Sequence, residues 1–415
     1  MKKVYESFLE NLTSIECFFN KLVPLAISQD ETIIYEFGES IKNCMVEELG
    51  INPENYNDDG YKEEFKNAVT KDKLERFARR ILKTPQIPPR NLEILTRSSF
   101  ITLNNYFESL FSDLLTFYFK NYPGLLIDKK ISISLSNLSK YCSIEEANDD
   151  LIIREIENLL LELNFEELKR YFRDTLKISL EEKIINWERI NEIRERRHII
   201  VHNNSIINKK YIKRSNNLDN FNEGDNVNIN DEYFNKSLEE IKLAGSILIF
   251  NCWGIWDKKE ATSAIREIMV LTFDMLNLSR YDFVIKICEY VKNNIKGQND
   301  DEEDYLLRIH YNYCIALKRL GLNDKLSQSL KKVKVGTLSP IFKIAHSVLS
   351  NDFKTYFENL DKAQMVDELS FDNIIEWPLF EDIRKNPELL ERSKMILSQH
   401  LHQQLLSLDR VSVDC

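Results

Sequence analysis

Apolar positions recur at helical spacing through most of this 415-residue chain. Val4, Phe8, Leu9, Leu12, Ile15 and Phe19 predict a first helix. A second run extends from Ile33 to Leu49. The polar stretch NPENYNDDG (52–60) then predicts a loop, and a third helical run follows at 61–83. In TPQIPPR (84–90) three prolines fall within five residues, which ends any helix and predicts a boundary. From 91 to 121 the stripe Leu92, Leu95, Phe100, Leu103, Phe107, Leu110, Leu114 and Phe117–Phe119 predicts a long helix, stopped by the turn signal NYPG at 121–124. ISISL at 131–135 alternates like a short strand, although a lone strand has no sheet to join. Helical patterns return at 143–163, 165–176 and 180–204. Residues 205–231 are polar and Asn-rich without helical period, and predict an exposed loop with room for one hairpin. A helix at 232–256 closes a unit of four or five helices.

Composition sharpens this picture. The chain has only 10 Gly and 9 Pro, few breakers for its length, which favours helices. Hydrophobic residues make up 43% and charged residues 30%, the balance of a folded globular protein. At ~150 residues per domain, two or three domains are expected. The net charge of -11 argues against non-specific coating of DNA or anionic membranes, yet leaves room for a basic cleft on an acidic body. Cys17, Cys44, Cys142, Cys252, Cys288, Cys314 and Cys415 are odd in number and form no CxxC pair. They read as buried apolar residues in a reducing compartment rather than as disulfides or a zinc site. The start, MKKVYESFLENLTS, lacks the uninterrupted apolar core of a signal peptide, and no apolar run approaches the ~20 residues of a membrane span. A cytoplasmic protein with no membrane contact is expected.

Residues 257–405 predict helix pairs. FDMLNLSRYDFVIKICEYV (273–291), ALKRLGLNDKLSQSLKKV (316–333) and HSVLSNDFKTYFENL (346–360) each show a helix end, a short polar turn and a second amphipathic helix. This region resembles a degenerate tetratricopeptide array, at an irregular spacing of roughly 30–43 residues. NIIEWPLFEDIRKNPELL (373–390) predicts a terminal cap sealed by Trp377 and Phe380. The expected fold is therefore all-α. It comprises an N-terminal helical region (1–84), a helical bundle (90–256) and a helical-repeat region (257–405).

One segment carries candidate chemistry: NWERINEIRERRHIIVHNN, 186–204. Arg194, Arg196, Arg197 and His198 fall within five residues, and His202 follows one turn later. Lys209, Lys210, Lys213 and Arg214 continue the positive charge. A polyphosphate substrate requires such a local patch. Cleaving RNA requires removing a proton from the 2′-hydroxyl, stabilising a crowded phosphate and protonating the leaving 5′-oxygen. Histidine serves best as acid or base near neutral pH, and arginine presents a fork of donors to phosphate oxygens.

Arg197, four intervening residues and His202 resemble the RxxxxH motif of the HEPN superfamily, with the polar His198 after the arginine and Asn203 after the histidine. The resemblance covers roughly residues 90–256. It implies a helical bundle, a late motif helix, and a metal-independent endoribonuclease whose site is shared across a homodimer or higher even oligomer. It also implies a carboxylate on the first long helix, here Glu108 with Asn104 one turn before it. Arg197 would stabilise the phosphate, His202 would act as acid or base, and Glu108 and His198 would orient them. Asn104, Asn203, Arg194, Lys209 and Lys210 would bind RNA. No cofactor or metal is implied. A toxin or anti-phage effector cutting tRNA or other cellular RNA is the implied context, with the C-terminal repeats open to a protein partner or trigger. Family toxins regulated by adenylylation carry a tyrosine two residues after the motif histidine; here that residue is Asn204.

Plainer readings stand beside these. An Arg/His-rich helix is more often a solvated surface. His198 and His202 have metal-ligand spacing, but Ile199 occupies the HExxH glutamate position and no third ligand is evident. The bundle can also be a non-catalytic interaction scaffold. Arg97 reads as surface, His310 as half-buried packing, and His346, His400 and His402 have no evident partners. Phe107, Phe111, Phe117, Tyr118 and Phe119 read as core. NDDEED (299–304) reads as a solvated loop and helix start. No Gly-rich phosphate loop, GxSxG, kinase or Rossmann pattern occurs.

Overall fold

The computed structural model describes residues 1–50, 70–83, 88–124, 126, 134–366 and 368–398. The expected loop at 52–60, the first part of the 61–83 run, the start of the 84–90 boundary, most of ISISL, His400, His402 and Cys415 lie outside the described residues. Among the described residues the protein is all-α, with one isolated antiparallel bridge, Ile206 to Asn226, and no longer strand. Among them no helix is long and apolar enough to cross a membrane.

The helices that matter here are α1 (Lys2–Cys44), α2 (Lys71–Lys83), α3 (Asn91–Asn121), α4 (Ile144–Glu162), α5 (Trp187–His202), α6 (Lys209–Arg214) and α7 (Asp231–Trp256). They are followed by α8 (Ala261–Asn277), α9 (Tyr281–Asn294), α10 (Asp300–Arg319), α11 (Asn323–Leu330), α12 (Pro340–Leu349) and α13 (Phe353–Met365). Two compact units form. One holds Lys3–Phe165 with Asn186–Gly245; the other holds Met1–Lys2, Glu166–Ile185 and the chain from Ser246 onward. This partition differs from the boundaries expected at 84–90 and 256. α1 belongs with the bundle rather than to a separate region.

In the first unit, α1 runs unbroken through Pro24 and joins the first two predicted runs. It buries Tyr5, Phe8, Leu12, Ile15, Phe19 and Val23, a stripe at helical spacing. Phe19 stacks on Phe234 of α7 at 3.8 Å, and Glu16 accepts a hydrogen bond from Lys242 at 3.0 Å. Farther along α1, the Asp30 carboxylate accepts from the backbone amides of Asn91 and Leu92 at 2.9 and 3.0 Å. It thus satisfies orphan donors at the start of α3 from another helix. α3 buries Phe100, Leu103, Phe107, Leu110, Phe111, Leu114, Leu115 and Phe119. The helix predicted for 180–204 begins only at Trp187, with Asn186 accepting from the Arg189 amide as N-cap.

Residues 205–231 are folded rather than an exposed loop. Ile207 donates its amide to Asp225 O and Val227 to Ser205 O, closing the one hairpin-like pairing. Ile199, Ile207, Tyr211 and Val227 form a buried cluster, joined by Ile212 and Phe221. The asparagines serve turns. Asn204, Asn216, Asn217 and Asn220 take positive φ, which short polar side chains tolerate better than other residues do.

In the second unit, α8 with α9, α10 with α11 and α12 with α13 form three helix pairs. Their turns share one design. Ser279, Gly321 and Asn351 take positive φ, and the next amide reaches back five residues: Arg280 to Met275 O, Leu322 to Leu317 O, and Asp352 to Ser347 O. The cap holds as expected at Phe380, which is fully buried, while Trp377 stacks on it half-exposed. Cys44, Cys252, Cys288 and Cys314 are buried; Cys17 and Cys142 are exposed, against the expectation of uniform burial.

Candidate functional site

Arg194, Arg197, His198 and His202 lie on α5, Asn203 at its C-cap, Asn104 and Glu108 on α3, and Lys209 and Lys210 on α6. Arg197 and His198 are half-buried and His202 is exposed. Arg197 donates from Nη2 to Asn105 Oδ1 at 3.3 Å, one residue away from the asparagine that the sequence singled out. Asn104 instead turns inward: it is 1% exposed and donates to Phe100 O at 2.9 Å within its own helix. As placed, it is not open to a ligand.

Glu108 pairs with Arg194 rather than with the motif arginine, at 3.1 Å. The Arg194 guanidinium also lies 4.1 Å from the Phe165 ring centroid. The pair braces α3 against α5. Asn203 is the C-cap residue of α5; its side-chain amide donates to Ile206 O and fixes the exit turn.

The basic cluster is thinner than the sequence suggests. Arg214 faces Glu195 at 3.4 Å and Lys209 faces Glu223 at 3.7 Å. Arg196 is buried. That leaves Arg197, Lys210 and Lys213 without an ion pair among the described residues; of the two lysines, Lys210 is near enough to His198 to oppose its protonation.

His198 and His202 lie one turn apart on α5 with ring centroids 4.8 Å apart. Burial, then the neighbouring His202, Lys210 and Arg214, hold the His198 pKa below the ordinary 6.5, against the opposing pull of Glu195. A His198 ring that resists protonation is available as a proton acceptor at neutral pH.

Sequence reasoning missed the feature that fixes α5. Glu192 is fully buried and takes four donors: Arg196 Nε and Tyr211 Oη on one oxygen, each at 2.7 Å, and Arg189 and Tyr233 Oη on the other, at 2.9 and 2.7 Å. Asp219 binds both Arg189 and Arg196. The Arg196 guanidinium stacks over Tyr233 at 3.7 Å. The network ties α5, α6, the 215–221 turns and the start of α7 together. A buried charge is tolerated when every lone pair is met, as here. The available signal was the charge alternation itself: Arg189, Glu192 and Arg196 at i, i+3 and i+7 lie on one helix face.

No family model matches the chain, and neither the curated proteins nor the solved structures contain a significant match.

Proposed function

We propose that the protein is a metal-independent endoribonuclease of the HEPN type. The observation that carries this reading is the arrangement on α5: Arg197, His198 and His202 reach the surface together beside the unpaired Lys210. Arg197 would stabilise the transition-state phosphate and His202 would move a proton. The first unit supplies the bundle, and two copies bring two motifs together in a composite site. Products would carry a 2′,3′-cyclic phosphate and a 5′-hydroxyl. The proposed setting is the cytoplasm, with tRNA or other cellular RNA as target and a toxin or anti-phage role. The helix pairs of the second unit resemble tetratricopeptide repeats and would receive a protein partner or trigger.

The test is cleavage of total RNA by the purified protein in EDTA. Cleavage that survives EDTA and disappears in Arg197→Ala and His202→Ala supports the enzyme. A strict monomer under active conditions would contradict the composite site.

A second reading has its own support. Neutralisation of Arg194, Lys209 and Arg214 by carboxylates leaves little free charge to hold RNA, which suits a non-catalytic scaffold. Wild type and both variants that are equally inactive on RNA, and equally harmless when expressed, would favour it.

A further inference from the structure

We infer that His198 and His202 form a complete general base and general acid pair within one chain, so that each copy carries both proton-transfer groups. The inference rests on the ribonuclease reading and revises its division of labour. A second copy would then position RNA or order α5, and would not be needed to complete the proton relay.

Two rings one helical turn apart, with centroids 4.8 Å apart, can both reach one phosphodiester. The neighbouring Arg197 guanidinium supplies the donor fork for its non-bridging oxygens. The two rings sit in different surroundings. His202 is exposed, whereas His198 is half-buried.

The charged groups around the pair favour a neutral His198. On its own helix, Glu195 pulls toward protonation, but Glu195 is engaged with Arg214. From α6, Lys210 and Arg214 oppose protonation, as does His202. From α3, Glu108 reaches α5, and it is held by Arg194. Half-burial and the flanking cations favour a neutral His198 as the proton acceptor, which leaves the exposed His202 as the donor.

The step balances without any further reactant. Neutral His198 accepts the proton of the 2′-hydroxyl as the 2′-oxygen bonds to phosphorus. The P–O5′ bond breaks with its electron pair on the 5′-oxygen, which takes a proton from the His202 imidazolium. The products are the 2′,3′-cyclic phosphate and the 5′-hydroxyl strand. His198 is left protonated and His202 neutral, and exchange with water restores both.

The experiment uses full-length protein, a single-stranded RNA oligonucleotide and EDTA. His198→Gln is expected to lower kcat/KM by about 10²–10⁴-fold, as removal of a general base does. It should also abolish the acidic limb of the kcat/KM profile, which in wild type falls below pH 6.5. Co-expressed His198→Gln and His202→Gln chains, captured through two different tags, should recover no activity. A His198→Gln rate within threefold of wild type, or recovery in the mixed protein, overturns the assignment while leaving the ribonuclease reading intact. Inactivity of wild type on every RNA removes that reading, and this assignment with it. NMR titration of the histidine Cε1–H signals guards against a variant that merely misfolds. In wild type, His198 should titrate below 6.5, and its midpoint should rise in His202→Gln. An unchanged midpoint would show that the rings are not coupled.

Discussion

Glu108 and Arg194 meet at 3.1 Å across the packing of α3 against α5, with the Arg194 guanidinium lying on the Phe165 ring. The pair is partly exposed, so its direct Coulomb contribution is about 1 kcal/mol or less. Its placement beside Arg197 raises the question of whether Glu108 acts on substrate or on α5. The structural role predicts that Glu108→Gln and Arg194→Gln each cost about 0.5–1 kcal/mol and are non-additive in a double-mutant cycle. RNA cleavage should stay within tenfold of wild type. A loss beyond a hundredfold in Glu108→Gln at unchanged Tm would place Glu108 in the reaction instead.

Removal of Glu192 should be among the most damaging single changes in the first unit. Glu192→Ala takes the acceptor from Tyr211 and Tyr233 and leaves Arg189 and Arg196 to Asp219, around a buried void. Breaking a buried charge network from one side costs about 3–5 kcal/mol. Urea titration followed by far-UV circular dichroism reads this directly. A loss under 1 kcal/mol would mean that the four donors find water or other acceptors.

Acid should loosen the same network through Asp219. Burial alone would raise its pKa, but hydrogen bonds and charge from Arg189 and Arg196 outweigh this and hold it below the ordinary 3.8. The folded state therefore binds the proton less readily than the unfolded chain. Stability from this group is full well above pH 3.8 and is lost as pH falls through the lower folded value. Asp219→Asn should be less stable at neutral pH and show a shallower fall of stability with acid in that window. Parallel wild-type and variant curves below pH 3.8 would contradict the assignment.

Gly245 of α7 packs directly against Phe8 of α1. A Cβ there would lie 2.2 Å from Phe8 Cζ, with Leu110 Cδ2 at 3.1 Å. Phe8 is buried and has little room to turn away. Gly245→Ala should therefore destabilise by about 1–3 kcal/mol through overpacking, despite the better helix propensity of alanine. Phe8→Leu in the same chain should return part of the loss. A thermal melt that rises in Gly245→Ala alone would show that the Phe8 ring moves freely.

The long helices were legible in the sequence because their stripes are strong. Phe100, Leu103, Phe107, Leu110 and Leu114 repeat every three or four residues, and every one is buried. The helix pairs of the second unit were legible for a related reason: polar turn residues interrupt apolar periodicity at Ser279, Gly321 and Asn351. The stretch 205–231 was misread as exposed because its apolar residues are too sparse to show a period. Ile207, Tyr211, Phe221 and Val227 become a cluster only once the turns bring them over Ile199.

By itself, then, the sequence determined the all-α class and the closeness of Arg197, His198 and His202 along one helix. Those are local properties, set by spacing within a few turns. Partnership was decided by tertiary structure alone. It gave Glu108 to Arg194, placed Asn105 rather than Asn104 against Arg197, and buried Arg196 under Tyr233. Which side chain meets which across two helices depends on their rotation and crossing. Side chains three or four residues apart look alike in sequence, yet packing turns one inward and the next toward its neighbour.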